Sequence, residues 1–482
     1  MEELLSAALA AALRAPVVYA DVRVEAPQRY EHLAVQNGEA SALTATLRSG
    51  IGVRVRTRSA WGFATTAGLS RSDAREAGRR ARQVASAASR TVRPPLEVAG
   101  SKGPSNGEYT SPVGIDPFGL DLSEKIELLI AAEAAVHTDP SIKTGHASFQ
   151  AWQENKFFAS SEGTSYRSRI THVGAAVHAT AVGHGEVQRR CGPTSFGGDF
   201  RQAGWEYVQG LDLVALAPTV AKEAVALLTA PSCPKGPTTV VLGSDQLALQ
   251  VHESVGHATE LDRILGMEAG YAGRSFVHVD DLERLRYGSP LMNIVADATE
   301  PGGLGTFGWD DEGVPAQRTE LVVEGRLKGF LTSRETAARI GSERSGGTAR
   351  AEGAHRAPLI RMTNINLLPG DHSFEELLEG VQEGVFLLTN RSWSIDDKRL
   401  NFQFGTEVGR RIVKGELGEI VRNPLYSGMT PAFWGSMDAV GDATTWHLWG
   451  VPNCGKGQPG QIARVSHGAP AARFRSVEVR PG

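Results

Sequence analysis

The chain predicts an α+β protein in two domains: an N-terminal mixed sheet with helices over residues 1–230, and a largely antiparallel, barrel-like β domain over 238–482 that carries one functional helix. Three observations predict it. Apolar residues in the first half switch between helical and strand periods. The second half reads mostly as strands with period-two alternation, separated by hairpin-type turns. Between the halves, Ala230-Pro231-Ser232-Cys233-Pro234-Lys235-Gly236-Pro237 has the composition of a linker. A chain of 482 residues also exceeds one ordinary core.

Residues 2–14 form an Ala/Leu helix, and 17–25, 30–37, 40–48, 51–58 and 61–67 form strands, with tight turns such as Asn37-Gly38 and Ser49-Gly50. Arg54, Arg56 and Arg58 alternate with Val53, Val55 and Thr57, which puts the guanidinium groups on the wet face of a strand. Helix 71–89 turns Ala74, Ala77, Ala81, Val84, Ala85 and Ala88 inward and leaves Arg79, Arg80 and Arg82 solvated. The Pro-, Gly- and Ser-rich stretch 91–118 is a long excursion or hinge. Helix 121–137 buries Leu122, Ile126, Leu129, Ile130 and Val136; strands over 142–192 turn near Glu154-Asn155 and Glu162-Gly163; helix 211–229 precedes the linker. Beyond it, Thr238–Leu242 is a buried strand and Ser244 caps the next helix. Strands then fall at 318–324, 326–332, 359–367, 384–394, 400–405, 408–414 and 416–422, with turns at Glu324-Gly325 and Lys414-Gly415.

Composition removes several function classes. A net charge of −4 and a pI near 6.4 give no electrostatic case for nucleic acid or an anionic membrane. No apolar run is long enough to cross a bilayer, and the acidic start Met1-Glu2-Glu3 lacks the basic region of a secretory signal. Cys191, Cys233 and Cys454 are odd in number and far apart, which points to a reducing cytoplasm.

Chemistry concentrates in His252-Glu253-Ser254-Val255-Gly256-His257. Zinc hydrolases commonly use H-E-x-x-H, where i, i+4 spacing puts both imidazoles on one helical face beside a catalytic glutamate. Here the spacing is i, i+5, which on a regular helix rotates the second ring by roughly 140°. A π-type turn reduces the offset to roughly 50°, and Gly256 eases that distortion. The alternative is two unconnected histidines on a partly buried helix. A third ligand decides between them, and Cys454, in the Gly- and Pro-rich segment Val451–Gly457, is the best placed by type; a lone cysteine is otherwise a small buried hydrophobe. Glu260 and Asp262 follow closely enough to orient a ligand imidazole from behind. Asp310-Asp311-Glu312 has the composition of a carboxylate metal loop, but consecutive residues cannot all face one ion, so a turn beside the cleft is the better reading. His278, His355 and His447 are conceivable helpers, each read as structural or exposed.

Residues 252–276, with Asp310–Pro315, Leu327–Leu331, Arg361-Met362-Thr363-Asn364 and Cys454-Gly455-Lys456, resemble the TldD/PmbA family of metallopeptidases (peptidase U62), in its catalytic TldD-like branch. The PmbA (TldE) branch lacks the H-E-x-x-x-H segment. The resemblance implies zinc held by His252, His257 and Cys454, with Glu253 as the acid/base residue. It further implies hydrolysis of peptide bonds in unfolded or short peptides, and a two-fold dimer, either a homodimer or a heterodimer with a PmbA/TldE-like chain. Two imidazoles and a thiolate would leave the ion a charge of +1 and a fourth position for water. Residues 344–356, 455–461 and the Trp-rich 428–449 depart from the family pattern and leave substrate choice open. A zinc amidase or esterase acting on a small aminoacyl or peptidyl intermediate, or a non-catalytic PmbA-like partner, are the competing readings.

Overall fold

Strands hold 43% of residues and helices 22% in the computed structural model, an α+β composition. It describes residues 1–91, 95–101 and 105–482. In chain order the strands of the first half are β1 (Tyr19–Gln36), β2 (Glu39–Arg56), β3 (Trp61–Thr66), β4 (Asn106–Thr110), β5 (Ile142–Ser160), β6 (Ser165–Gly183), β7 (Glu186–Gly192) and β8 (Asp199–Arg201). They make one sheet, ordered β3-β2-β1-β5-β6-β4, with β7 and β8 also paired to β6. Helices α1 (Glu2–Ala12) and α2 (Arg71–Ala88) cover one end of it, burying Leu5, Ala8, Ala77 and Ala81 against Val22, Val24 and Val53. Helix α3 (Leu122–Ala134) packs farther along with α4 (Trp205–Gly210), enclosing Leu129, Phe149 and Trp205, while α5 (Leu213–Leu227) covers β6.

Several expected breaks are not breaks. Segments 17–25 and 30–37 are one strand with a register shift between Glu25 and Gln28. Asn37-Gly38 does turn, with φ of 50° and 80°, the pair of positive values a type I′ hairpin needs. Ser49-Gly50 does not: Gly50 pairs with Glu25 inside β2, and a Cβ there would lie 2.6 Å from the His355 ring, so the glycine makes room for the 351–356 loop. Glu154-Asn155 lies within the continuous β5, whereas Glu162-Gly163 is a true turn. Arg54 is not on a wet face. It is 7% exposed and bridges Asp21 (2.7 Å) and Glu312 (2.8 Å), clamping the sheet to the second half of the chain. Val84, Leu122 and Ile130, expected inward, are exposed; α3 instead buries Lys125, which meets Glu31 at 2.6 Å. The 91–118 excursion contains β4, paired in parallel with β6, and its residues 92–94 and 102–104 lie outside the described residues. The outer edge of β2 over residues 39–48 has no strand partner among the described residues, and Leu43 and Leu47 are exposed on it.

The second half supplies β9 (Gly236–Leu242), β10 (Ile294–Asp297), β11 (Arg318–Val323), β12 (Arg326–Leu327), β13 (Ala349–Arg350), β14 (Leu359–Ile360), β15 (Ile365–Leu367), β16 (Glu383–Ile395), β17 (Asn401–Val413), β18 (Glu416–Arg422), β19 (Pro424–Met429), β20 (Met437–Val440), β21 (His447–Lys456), β22 (Gln461–Ala469) and β23 (Ala472–Pro481). The ring β16-β9-β23-β19-β17, closed by β16–β17 pairing, is a five-stranded barrel whose one parallel pair is β9–β16. Closure removes free edges from these strands. Helix α6 (Ser244–Val251) leaves β9 and packs Leu247 and Val251 into the core with Leu242, Leu387, Phe404, Tyr426 and Phe474. Segments 400–405 and 408–414 are the single β17, 326–332 contracts to β12, and 359–367 splits into β14 and β15. Glu324-Gly325 and Lys414-Gly415 turn as expected, all four at positive φ.

Candidate metal centre

The helix begins one residue earlier than expected: Gly243 is its cap, and the Ser244 hydroxyl donates to the Ala469 carbonyl instead. After Val251 the backbone widens into a π turn over His252–Gly256, closed by a bond from the His257 N–H to the His252 carbonyl, and tightens to a 3₁₀ turn over His257–Thr259. The sequence explains the bulge locally. Ser254 bonds back to the Gln250 carbonyl (2.6 Å) and receives Trp434 Nε1 (2.9 Å) on the same hydroxyl, while its own carbonyl accepts the Tyr287 hydroxyl (2.5 Å). Such back-bonding bends helices, and the outside donor satisfies a carbonyl within the widened turn. Gly256 has ordinary helical φ (−53°), so conformational freedom is not its role. A Cβ there would lie 2.3 Å from Met362 Sδ; the glycine admits the close approach of the Arg361–Asn364 segment.

The same segment fixes Cys454. Arg361 donates to the carbonyls of Cys454 and Gln461, tying together both strands of the β21–β22 hairpin. Cys454 therefore lies in a strand, paired with Ala463 just after a register shift, and not in the turn expected from its glycines and proline.

The π turn and the hairpin bring His252, His257 and Cys454 together. One donor atom from each lies within 4.8 Å of the others, and all three residues are buried. The imidazole centroids are 4.8 Å apart with planes at 87°, and Cys454 Sγ is 3.8 Å from His257 Nε2. Tetrahedral zinc with normal bond lengths sets sulfur and nitrogen about 3.6 Å apart. Burial pushes both histidines down, His257 to about 4, which keeps them neutral at pH 7. Burial would raise the Cys454 thiol, but Arg361 and His257 outweigh it and bring it down to about 7. Two neutral imidazoles and a ready thiolate are a donor set that fits zinc.

Behind His257, Glu260 Oε2 accepts from Nδ1 (3.0 Å) and from Arg263 Nε (2.6 Å), and Lys456 Nζ lies 3.2 Å from its other oxygen and 2.8 Å from Asp262. Burial would raise the Glu260 carboxyl; Lys456, His257 and Arg263 hold it well below the ordinary range instead. Glu253, nearly buried, pairs with Arg399 NH1 at 2.8 Å. Arg399 stands in the turn after β16 at φ 62°, and nothing in its sequence neighbourhood marked it. The other acids and histidines lie elsewhere. Asp310 closes its own turn by accepting from Glu312, Val314 and Ala349 N–H groups, Asp311 pairs with Lys156, and Glu312 with Arg54. His355 bonds Thr65, His447 bonds Asp199, and His278 begins a 3₁₀ turn; none joins the cluster.

Residues 20–85, 115–230 and 235–481 match domain 1, the central domain and the C-terminal domain of the family described as PmbA/TldA metallopeptidase. A metalloprotease of Methanocaldococcus jannaschii is 31% identical over 455 residues, covering 94% of this chain and 95% of that one. A zinc metalloprotease TldD homolog of Saccharolobus solfataricus is 28% identical over 254 residues, 52% of this chain and 53% of that one. TldE of Thermococcus kodakarensis, 16% identical, superposes over the full length of both chains with a TM-score of 0.74, a likeness of fold. The chain belongs to the PmbA/TldD metallopeptidase family.

Proposed function

We propose that this chain is a zinc-dependent peptidase of the TldD-like branch, with His252, His257 and Cys454 as ligands and Glu253 as the acid/base residue. The observation that carries the reading is the convergence of two neutral imidazoles and a low-pKa thiol in one buried cluster beside a glutamate. A zinc ion held by these three residues would supply polarisation of the scissile carbonyl and acidification of a water. Glu253 would take a proton from the attacking water and pass it to the leaving amine, giving one carboxylic acid and one amine. Arg399 fixes the rotamer of the Glu253 carboxylate, and Glu260 orients His257.

The substrates proposed are unfolded or short peptides, which can pair along exposed strand edges. The assembly proposed is a dimer, with itself or a PmbA/TldE-like chain, in the cytoplasm. The 39–48 edge of β2, without a strand partner among the described residues, favours pairing with another chain, and the three free cysteines suit a reducing compartment. No helix of the described residues is long and apolar enough to cross a membrane. The domain boundary proposed, at residues 230–237, fits a sheet built wholly before residue 202 and a barrel built wholly after 235.

The test is digestion of one protein in unfolded and folded forms, beside a panel of small aminoacyl conjugates, with and without a chelator and with and without a PmbA-like chain. Mass measurement of the protein accompanies it. Chelator-sensitive cleavage of the unfolded form alone is expected. Turnover confined to the conjugates would make the chain an amidase or esterase, and inactivity until the partner is added would make it half of a heterodimeric peptidase.

A further inference from the structure

His467 lies in β22, is fully buried, and takes no part in the ligand set proposed above. Its Nε2 is 2.7 Å from His252 Nδ1, and its own Nδ1 is 3.3 Å from the Ile365 carbonyl. We infer that His467 is a positioning residue that selects the tautomer of His252 and turns its Nε2 toward Cys454 and His257, an inference that rests on the metal reading above.

A carbonyl oxygen only accepts, so His467 Nδ1 carries a hydrogen toward Ile365. Among the described residues the two ring nitrogens of His467 meet only a carbonyl and another imidazole, with no carboxylate to balance a charge on this fully buried side chain. A neutral ring with hydrogen on Nδ1 presents a bare Nε2. His252 Nδ1 must then donate to it, which leaves the His252 Nε2 lone pair as the one free to bind. The chain Ile365 carbonyl, His467, His252 thus fixes both the proton and the plane of the ring; the two imidazoles stand at 88° with centroids 4.7 Å apart. His257 receives the same service from a carboxylate, Glu260, at 3.0 Å. The two ligands are therefore anchored unequally: one by an anion that strengthens its basicity, the other by a neutral ring that adds direction without charge.

The test compares His467→Phe, which keeps the ring volume and removes both nitrogens, with His467→Gln, whose amide can accept from His252 and donate to Ile365. Zinc affinity is read by competition with a chromophoric chelator, the ligand field by the visible spectrum of the cobalt-substituted protein, and the fold by urea unfolding of the metal-free chain. His467→Phe should bind zinc roughly 10–100-fold more weakly and shift the cobalt bands, and His467→Gln should restore most of both. A folded His467→Phe that binds zinc like the wild type overturns the inference, as does a folded His467→Gln no better than Phe. If Phe does not fold, His467→Gln decides alone: wild-type affinity and cobalt bands support positioning, and a weak, shifted site in a folded protein refutes it. Failure of the wild type itself to bind zinc would sink the proposed function instead.

Discussion

Lys456→Met should be one of the most damaging single changes near the centre that leaves all three donors in place. The ammonium is wholly enclosed between Glu260 (3.2 Å) and Asp262 (2.8 Å) and donates to the Ile360 carbonyl at 2.9 Å. Removing one member of a buried pair strands the other charge and costs about 3–5 kcal/mol. Arg263 still holds Glu260 at 2.6 Å, so the loss falls mainly on Asp262 and sits toward the lower end of that range. A domain with stability of about 5–15 kcal/mol would remain folded. The assay is urea unfolding of metal-free protein, with Lys456→Met/Asp262→Asn alongside; removing the stranded charge should recover about 1–2 kcal/mol through coupling. The pH dependence has a definite sign. Burial already raises the Asp262 carboxyl with Lys456 beside it, and losing that ammonium raises it further, so the stranded charge that destabilises the variant is neutralised by protonation as pH falls. The gap between wild type and variant should narrow in acid. A loss under about 1 kcal/mol at pH 7, or a gap that widens in acid, would refute the buried-network reading.

Three further outcomes are expected. Cys454→Ala should lower zinc content, since only a ligand contributes directly to affinity; full occupancy by metal analysis would end its candidacy. Gly256→Ala forces a methyl against Met362 inside a packed core, so it should destabilise by about 1–3 kcal/mol in urea and weaken zinc binding by shifting the adjacent His257; wild-type values for both would show that the close approach is not required. Glu25 is pushed up to about 7, by burial first and by Glu154 next, so the folded state holds a proton that the unfolded state releases between about pH 4.3 and 7. Stability from this group falls as pH rises through that window, and Glu25→Gln should raise Tm more at pH 8 than at pH 5; an equal gain at both would show that Glu25 does not titrate there.

Much of the site was legible because its chemistry is local in sequence. The i, i+5 histidines required a widened turn, and the structure has a π turn over His252–Gly256. Other parts depended on packing that spacing does not carry. Arg54 alternates like a solvent-facing residue and is buried only because the 310–312 turn lands on it. Ser49-Gly50 and Glu154-Asn155 have turn composition, yet strands of 18 and 19 residues run through them, where Gly50 accommodates His355 and Glu154 meets Lys156. Arg399 and His467 had no motif around them: each matters through a partner more than 140 residues away, Glu253 and His252 respectively. The strands beyond residue 424 close the barrel and carry Cys454, but their glycines, prolines and tryptophans masked the alternation.

The most direct test is hydrolysis of an unfolded protein by Glu253→Gln at matched zinc content. The substitution removes the proton acceptor and leaves His252, His257 and Cys454 untouched, so one zinc per chain, as in the wild type, is expected with cleavage abolished. Zinc-loaded Glu253→Gln that still cleaves at the wild-type rate would contradict it.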